Sequence, residues 1–224
     1  MIITLSGTFG SGGLEIARAL SQQLGYMLFE KEIVERAAEI AGEELKTSTG
    51  MVYDEDMDQL DEEKSYSKVL LKLQFDTLPQ YVSSNYEMEK NTLKRIKQAE
   101  ANKKAVMEAV EASKNGNCIF VGRCAGYFLR DDPRAVRIFT MDNCLSNVKN
   151  RVRSMYPDIS DADMVKLITV TNKRRKDYLE YLTQQDMMDM NNYDFVFNTG
   201  YINDEETIEL IKEIVNHREQ ILNA

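Results

Sequence analysis

The chain has 224 residues, 43% hydrophobic and 29% charged, which is the composition of a globular protein with a sizeable core. Its 37 acidic residues outnumber its 28 basic ones, and the net charge of −9 argues against non-specific nucleic-acid binding. No apolar run approaches the ~18 residues of a membrane span, and the first residues lack the features of a signal peptide. We therefore expect a soluble cytoplasmic protein that binds neither nucleic acid nor membrane.

The chain opens with a β-branched apolar run over 2–6, which gives way to four glycines within seven residues and then to a helical pattern. A strand, a glycine-rich turn and a helix direct backbone N–H groups at a phosphate. The spacing of Gly7 and Gly12 is that of a P-loop, but Gly13 and Leu14 replace its lysine and its hydroxyl residue. The predicted phosphate-binding residues are Gly7, Gly10, Ser11, Gly12 and Gly13.

A second strand is predicted over 26–29, and Glu30 then begins a helix that runs to Gly42. The polar region that follows reaches about residue 65, and residues 54–63 hold seven acids and no base. The favoured interpretation of this acidic segment is a solvated loop, with a dedicated binding element as the alternative.

Residues 66–114 are predicted to be helical, in two pieces broken near Pro79, until Asn115-Gly116 ends the second piece. Apolar residues recur on that second piece at near-helical spacing, namely Leu93, Ile96, Ala99, Val106 and Val110. This face packs either against the rest of the chain, which we favour, or against a second subunit. A homodimer through the 86–114 helical region therefore remains open.

Three further apolar runs predict buried strands, and helical patterns follow all of them apart from the first, which leads into residues 123–126. The predicted strands are 118–122, 136–141 and 195–197, and the predicted helices are 145–154, 161–182 and 204–222. Alternating strands and helices indicate a parallel sheet covered on both faces, whose ligands gather at the carboxyl edge. The predicted neighbours there are the glycine loop, Glu30, Arg123, Asp142 and Asn198-Thr199.

Two arginines stand out among the basic residues. Arg175 falls on the apolar stripe of the predicted helix 161–182, and a desolvated guanidinium needs an anion, either a buried carboxylate or a ligand phosphate. Arg123 directly follows a predicted central strand and pairs either with Glu30 or an aspartate, or with phosphate oxygens. We favour phosphate for both, because several bound phosphates are what phosphoryl transfer requires.

Six blocks in the right order resemble the cytidylate kinase-like family, relatives of bacterial cytidylate kinase among the P-loop nucleoside monophosphate kinases. The blocks are 10–17, 29–33, 121–127, 151–153, 172–178 and 193–199. The resemblance implies one α/β domain over 1–224, with a P-loop nucleoside-kinase-type parallel five-stranded sheet flanked by helices. It further implies a large helical insertion over 30–115, which forms or borders the acceptor site, and a helical lid over 151–182.

The resemblance also implies a division of roles within the site. ATP phosphates rest on the glycine loop, with Mg²⁺ brought by the nucleotide, and the acceptor monophosphate meets Arg123 beside Glu30 and Gly126. Arg153 and Arg175 of the lid close over the transferring phosphoryl group, so that Arg123, Arg153 and Arg175 form the catalytic set. Closure of the lid also excludes water from the reaction.

Three positions depart from the pattern of true cytidylate kinases. True cytidylate kinases carry the P-loop lysine, whereas the wider family commonly reads Gly-Gly-Arg. This chain has Leu14 in place of that arginine. Cys124 and Asn172 each replace an aspartate. Arg18, one turn beyond Leu14, either supplies the missing charge or, as we favour, lies exposed on its helix.

Two functions follow from these observations. The first is a phosphotransferase that moves the ATP γ-phosphate to CMP, dCMP or a related small phosphate acceptor. The second is a nucleotide- or phosphometabolite-binding protein, a sensor or regulator with little or no turnover, because the loop lacks its lysine. Cys118, Cys124, Cys144 and the lone His217 have no metal-ligand spacing, so we expect reduced thiols and no zinc site.

Overall fold

A computed structural model describes residues 1–41 and 85–224 of the chain. Its strands form one parallel sheet in the order β2-β3-β1-β4-β5, and they are β1 Ile2–Gly7, β2 Met27–Phe29, β3 Cys118–Val121, β4 Ala135–Met141 and β5 Phe195–Asn198. The helices in these residues are α1 Gly13–Leu24, α2 Glu32–Ala41, α3 Asn85–Ala112, α4 Ala125–Phe128, α5 Leu145–Met155, α6 Asp161–Thr183 and α7 Asp204–Leu222. Single 3₁₀ turns occupy Lys114–Gly116 and Met190–Asn192.

The five-stranded parallel sheet flanked by helices confirms the predicted fold class. Strand β1 lies at its centre, with Ile2 opposite Cys118 on one side and Gly7 opposite Thr140 on the other. Because the strands are parallel, their carboxyl ends meet at one edge, where the glycine loop begins. The acidic segment 54–63 and the break near Pro79 lie outside the described residues.

Alternate residues of β1 enter different layers of the core, as the pleat of a strand requires. Ile3 and Leu5 pack with α1 and α7, whereas Ile2 packs with α2, α3 and α4. A third apolar cluster joins α5 to α6, and Phe9 of the glycine loop packs against it. The sheet therefore carries a helical layer on each face, and the loop contacts the separate α5–α6 pair.

Helix α2 begins at Glu32, two residues later than predicted. The backbone N–H of Glu30 donates to a carboxylate oxygen of Glu32 at 2.8 Å, so the side chain takes the place of a helical partner. Helix α3 ends at Ala112, and Asn115 and Gly116 adopt positive φ angles of 58° and 69° as the chain turns into β3.

The predicted apolar face of α3 is divided along its length. Val106 and Val110 are buried and pack in the core cluster of α2 and β3, which confirms an intrachain role for this end of the face. Leu93 and Ile96 are 69% and 41% exposed.

In the part of the chain that the structure describes, no helix is long and apolar enough to cross a membrane.

The two ends of α3 should respond differently to truncation. We expect Val106→Ala to lower the free energy of unfolding by about 2 kcal/mol, because it removes buried methyl groups and leaves a cavity. Leu93→Ala should change it by less than about 0.5 kcal/mol, since its side chain is exposed. Urea denaturation of both variants measures the difference, and equal losses would contradict the division of this face.

Candidate functional site

The candidate site is built on the turn between β1 and α1. Gly10 and Gly12 have φ angles of 79° and 78°, in the left-handed region that favours glycine. A Cβ atom on Gly10 would lie 2.7 Å from Cγ1 of Val148, so the turn also passes too close to α5 for a side chain. Helix α1 has no side-chain cap at Gly12, and its first N–H groups therefore face the turn without helical partners. Such a helix start is suited to bind an anion.

The other strand ends hold this turn in shape. The N–H of Thr8 donates to the carbonyl of Thr140 at 3.1 Å, and the hydroxyls of Ser11 and Thr140 lie 2.9 Å apart. Thr199, just beyond β5, donates its hydroxyl to the carbonyl of Ser11 at 2.8 Å. The Ser11 side chain is buried against Thr140. Any contact of Ser11 with a phosphate is therefore left to its backbone.

The position of the P-loop lysine is crowded as well as changed in sequence. A Cβ atom on Gly13 would lie 2.7 Å from Oγ1 of Thr140. Thr140 is fully buried and its hydroxyl is engaged with Ser11, so it has little freedom to move away. The glycine at position 13 is therefore a requirement of packing in this chain.

Arg175 of α6 reaches the loop, in agreement with its predicted inward direction. Its Nη1 donates to the carbonyl of Gly7 at 2.9 Å, and its guanidinium lies 5.5 Å from the ring centre of Phe9. Burial, and after it the positive charge of Arg123, lower the pKa of Arg175 to about 10, while Glu15 acts in the opposite direction. Val165, an apolar residue nearer the start of α6, is 43% exposed, so the apolar stripe predicted for this helix is not buried along its whole length.

Arg123 lies in a left-handed turn directly after β3. Gly122, Arg123 and Cys124 have successive φ angles of 67°, 56° and 58°, a conformation that costs roughly 1–2 kcal/mol for each non-glycine residue. Arg123 is 8% exposed, its Nε donates to the carbonyl of Glu30 at 3.2 Å, and burial lowers its pKa. Strained backbone of this kind is concentrated at functional sites, where it directs a side chain.

The Glu30 carboxylate faces another arginine. It pairs with Arg18 at 3.2 Å, and the Arg18 side chain is 56% exposed, which confirms the surface position that we favoured for Arg18. Glu30, predicted to bind substrate, thus contacts Arg123 through its backbone carbonyl. Its role toward a substrate stays a prediction.

Three elements bring polar side chains together around Arg123. Tyr178 follows Arg175 by one turn of α6. Its charge raises the pKa of Arg123, whereas the larger effect of burial lowers the pKa of that arginine. The Tyr178 hydroxyl donates to Oδ1 of Asn102, a buried residue of α3, at 3.1 Å. The positive charge of Arg123 acts on Arg175, which contacts the glycine loop, and such surroundings favour a bound anion. Sequence periodicity alone did not identify Tyr178 or Asn102.

Arg151 also reaches the loop, although Arg153 was the arginine of the block 151–153 that we predicted to be catalytic. Arg151 forms two hydrogen bonds of 2.6 and 2.7 Å with the Asp204 carboxylate, and a Cβ on Gly12 would lie 2.6 Å from its Nη1. Arg153 is exposed and pairs with Asp161. The two arginines lie two residues apart on α5 and therefore point in different directions. The catalytic role of Arg153 stays a prediction.

Gly126 and Asp142, two further residues predicted at this edge of the sheet, contact neighbouring parts of the protein. A Cβ on Gly126 would lie 3.0 Å from Oγ1 of Thr4, so glycine lets α4 approach β1 closely. Asp142 follows β4, and its Oδ1 accepts from the N–H of Cys144 at 2.8 Å. Its Oδ2 is buried without a hydrogen-bond partner in the described residues. Within residues 1–41 and 85–224, no group of three histidine, cysteine, aspartate or glutamate side chains is placed to hold a metal ion.

Comparisons with known proteins agree with this architecture. A model of the cytidylate kinase-like family matches residues 2–201. No curated protein matched the chain. A crystal structure of an uncharacterized protein from Eubacterium ventriosum is 17% identical, with a TM-score of 0.62 over 96% of this chain and 98% of the other. That likeness shows a shared fold.

Kinases of known structure show weaker similarity. Shikimate kinase from Bacteroides thetaiotaomicron is 13% identical, with a TM-score of 0.42 over 100% of this chain and 99% of the other. Deoxyadenosine kinase from M. mycoides, with the products dCMP and dCDP bound, is 17% identical, with a TM-score of 0.36 over 97% and 99%.

The crowding at Gly13 can be measured. Gly13 begins a helix, where alanine is ordinarily more stable by about 0.5–1 kcal/mol. We expect Gly13→Ala to be less stable than the wild type by about 1–3 kcal/mol, because its methyl group would overlap Oγ1 of Thr140. Thermal or urea denaturation measures the change.

A double variant isolates the cause. Thr140→Ala removes the blocking oxygen, so Gly13→Ala should be harmless or stabilising in that background. A loss of equal size with and without Thr140 would show that the methyl group meets another obstacle.

Proposed function

The chain belongs to the cytidylate kinase-like family, and we propose that it is a nucleotide-binding phosphotransferase that resembles cytidylate kinase. It transfers the γ-phosphate of ATP to CMP, dCMP or a related small phosphate acceptor. The observation that carries this proposal is the hydrogen bond of the buried Arg175 to the carbonyl of Gly7 in the glycine loop, with the positive charge of Arg123 acting on the same guanidinium. Phosphoryl transfer depends mainly on positioning and charge neutralisation, which two directed guanidinium groups supply.

The loop takes the ATP phosphates in this proposal. The N–H groups at the start of α1 and the glycines at positions 10 and 12 provide a phosphate cradle without a side chain. Arg175, fixed on the carbonyl of Gly7, provides a positive charge at the same loop. This arrangement compensates in part for the absence of a lysine at Gly13.

The acceptor occupies the side of the site formed by Arg123. This arginine donates to the Glu30 carbonyl, and its charge is affected by Tyr178 of α6, which is hydrogen-bonded to Asn102 of α3. Its planar guanidinium suits two oxygens of an acceptor monophosphate. A phosphate between Arg123 and Arg175 would also offset the repulsion between their charges.

Magnesium fits this site as an ion held mainly by the nucleotide. Leu14 offers no oxygen, whereas the buried Oδ2 of Asp142 can accept a hydrogen bond from a metal-bound water. Bound Mg²⁺ would neutralise phosphate charge during transfer. Asp142 stands at the carboxyl end of β4, next to the strand that leads into the loop.

A binding protein with little or no turnover is the second candidate. The crowded position 13 favours it, because a side chain reaching the β- and γ-phosphates from this point would displace Thr140. Such a protein senses a nucleotide or a phosphorylated metabolite with the same two arginines. The two candidates differ in whether ADP is released.

The test is a coupled assay of ADP release with ATP, magnesium and a panel of nucleoside monophosphates and nucleosides. We expect turnover with CMP, dCMP or a related acceptor. Arg123→Ala and Arg175→Ala should each lower kcat/KM by about 100-fold, the loss typical for one group that stabilises transition-state charge.

Arg130→Ala is the matched control, since this exposed arginine follows α4 and contacts Tyr127 and Asp131 at the surface. Its activity should match that of the wild type. Absence of ADP release with every acceptor, together with calorimetric binding of ATP, would exclude the transferase and favour the binding protein. Absence of ADP release, together with absence of calorimetric binding of any nucleotide or phosphorylated metabolite, would exclude both functions.

A further inference from the structure

Helix α6 is attached to the glycine loop at two points, one helical turn apart. Oδ1 of Asn172 accepts from the backbone N–H of Phe9 at 2.7 Å, and Nη1 of Arg175 donates to the carbonyl of Gly7 at 2.9 Å. The Phe9 ring lies under the Arg175 guanidinium, 5.5 Å from it, and packs against the apolar cluster of α5 and α6. Asn172 therefore positions the loop residue on which Arg175 rests.

The contact with Phe9 needs only an acceptor oxygen. A carboxylate would accept the same N–H, and it would do so more strongly than an amide. A carboxylate at position 172 would, however, lie three residues from Arg175 on the same face of α6, where oppositely charged side chains pair. The amide of Asn172 performs the anchoring without adding a negative charge.

The charges around Arg175 make this distinction matter. Arg123 adds a second positive charge nearby, and Glu15 is the carboxylate whose charge acts on Arg175. A further carboxylate at the loop would neutralise the cation that replaces the missing lysine. It would also repel an incoming phosphate directly.

We propose that Asn172 is a positioning residue whose neutral amide fixes Phe9 while leaving Arg175 as a net cation for a phosphate group on the loop. This inference rests on the proposed function of the loop as a phosphate site. The contact with Phe9 requires only an acceptor oxygen at position 172. The proposal adds that this oxygen must belong to an uncharged side chain.

The test compares Asn172→Asp with the wild type by calorimetric titration of pyrophosphate and of ATP with magnesium. The variant keeps the acceptor for Phe9, so its melting temperature should be unchanged or higher. Its affinity for both anions should fall about tenfold, because a carboxylate now pairs with Arg175. A purely structural role would lower stability and would not separate the two measurements in this way.

Two further variants identify the route of the effect. Asn216→Asp, an exposed change on α7, adds the same charge away from the loop and should leave both affinities unchanged. In an Arg175→Ala background, Asn172→Asp should cause little further loss, because the charge that it neutralises is gone. A loss of the same size with and without Arg175 would overturn the inference.

The remaining outcomes separate this inference from the proposed function. Equal affinities of Asn172→Asp and the wild type would overturn the inference, whatever the activity. Coupling between the two positions without any phosphoryl transfer would support it and would overturn the transferase function. A wild-type chain that binds neither pyrophosphate nor ATP would overturn both.

Discussion

The glycine loop depends on the close approach of Thr140 to the first turn of α1. The parallel register of β1 and β4 places Thr140 opposite Gly7, and its hydroxyl meets the hydroxyl of Ser11 at 2.9 Å. This contact joins the end of β4 to the loop and leaves no room for a side chain at position 13. The loop is thus shaped by hydrogen bonds within the protein, and the same bonds exclude the usual lysine.

Because the glycine loop has no lysine or arginine of its own, a positive charge beside it has to come from other segments of the chain. Arg175 comes from α6 and Arg123 from the strained turn after β3, and burial lowers the pKa of both. Two guanidinium groups in such surroundings raise the free energy of the protein alone, and a bound phosphate lowers it. Any affinity for phosphate would therefore be linked to the stability of the fold through the same two residues.

Local patterns in the sequence predicted the sheet, the glycine turn and the inward direction of Arg175, because strand runs and helical periodicity determine which face is buried. They did not distinguish Arg151 from Arg153, since this choice depends on where Asp204 lies across the fold. The contact of Phe9 with Asn172 joins residues 163 positions apart and has no local signature. They also did not separate the buried end of α3 from its exposed end, because periodicity does not show how far a packing partner extends.

The position of the Phe9 ring bears on how the protein moves. Because the ring packs against the apolar cluster between α5 and α6, separation of these helices from the loop would expose apolar surface to water. A rigid unit of loop, α5 and α6 avoids that penalty. The Tyr178–Asn102 hydrogen bond, which joins α6 to α3, would then be among the contacts that change if the rest of the chain moved relative to this unit.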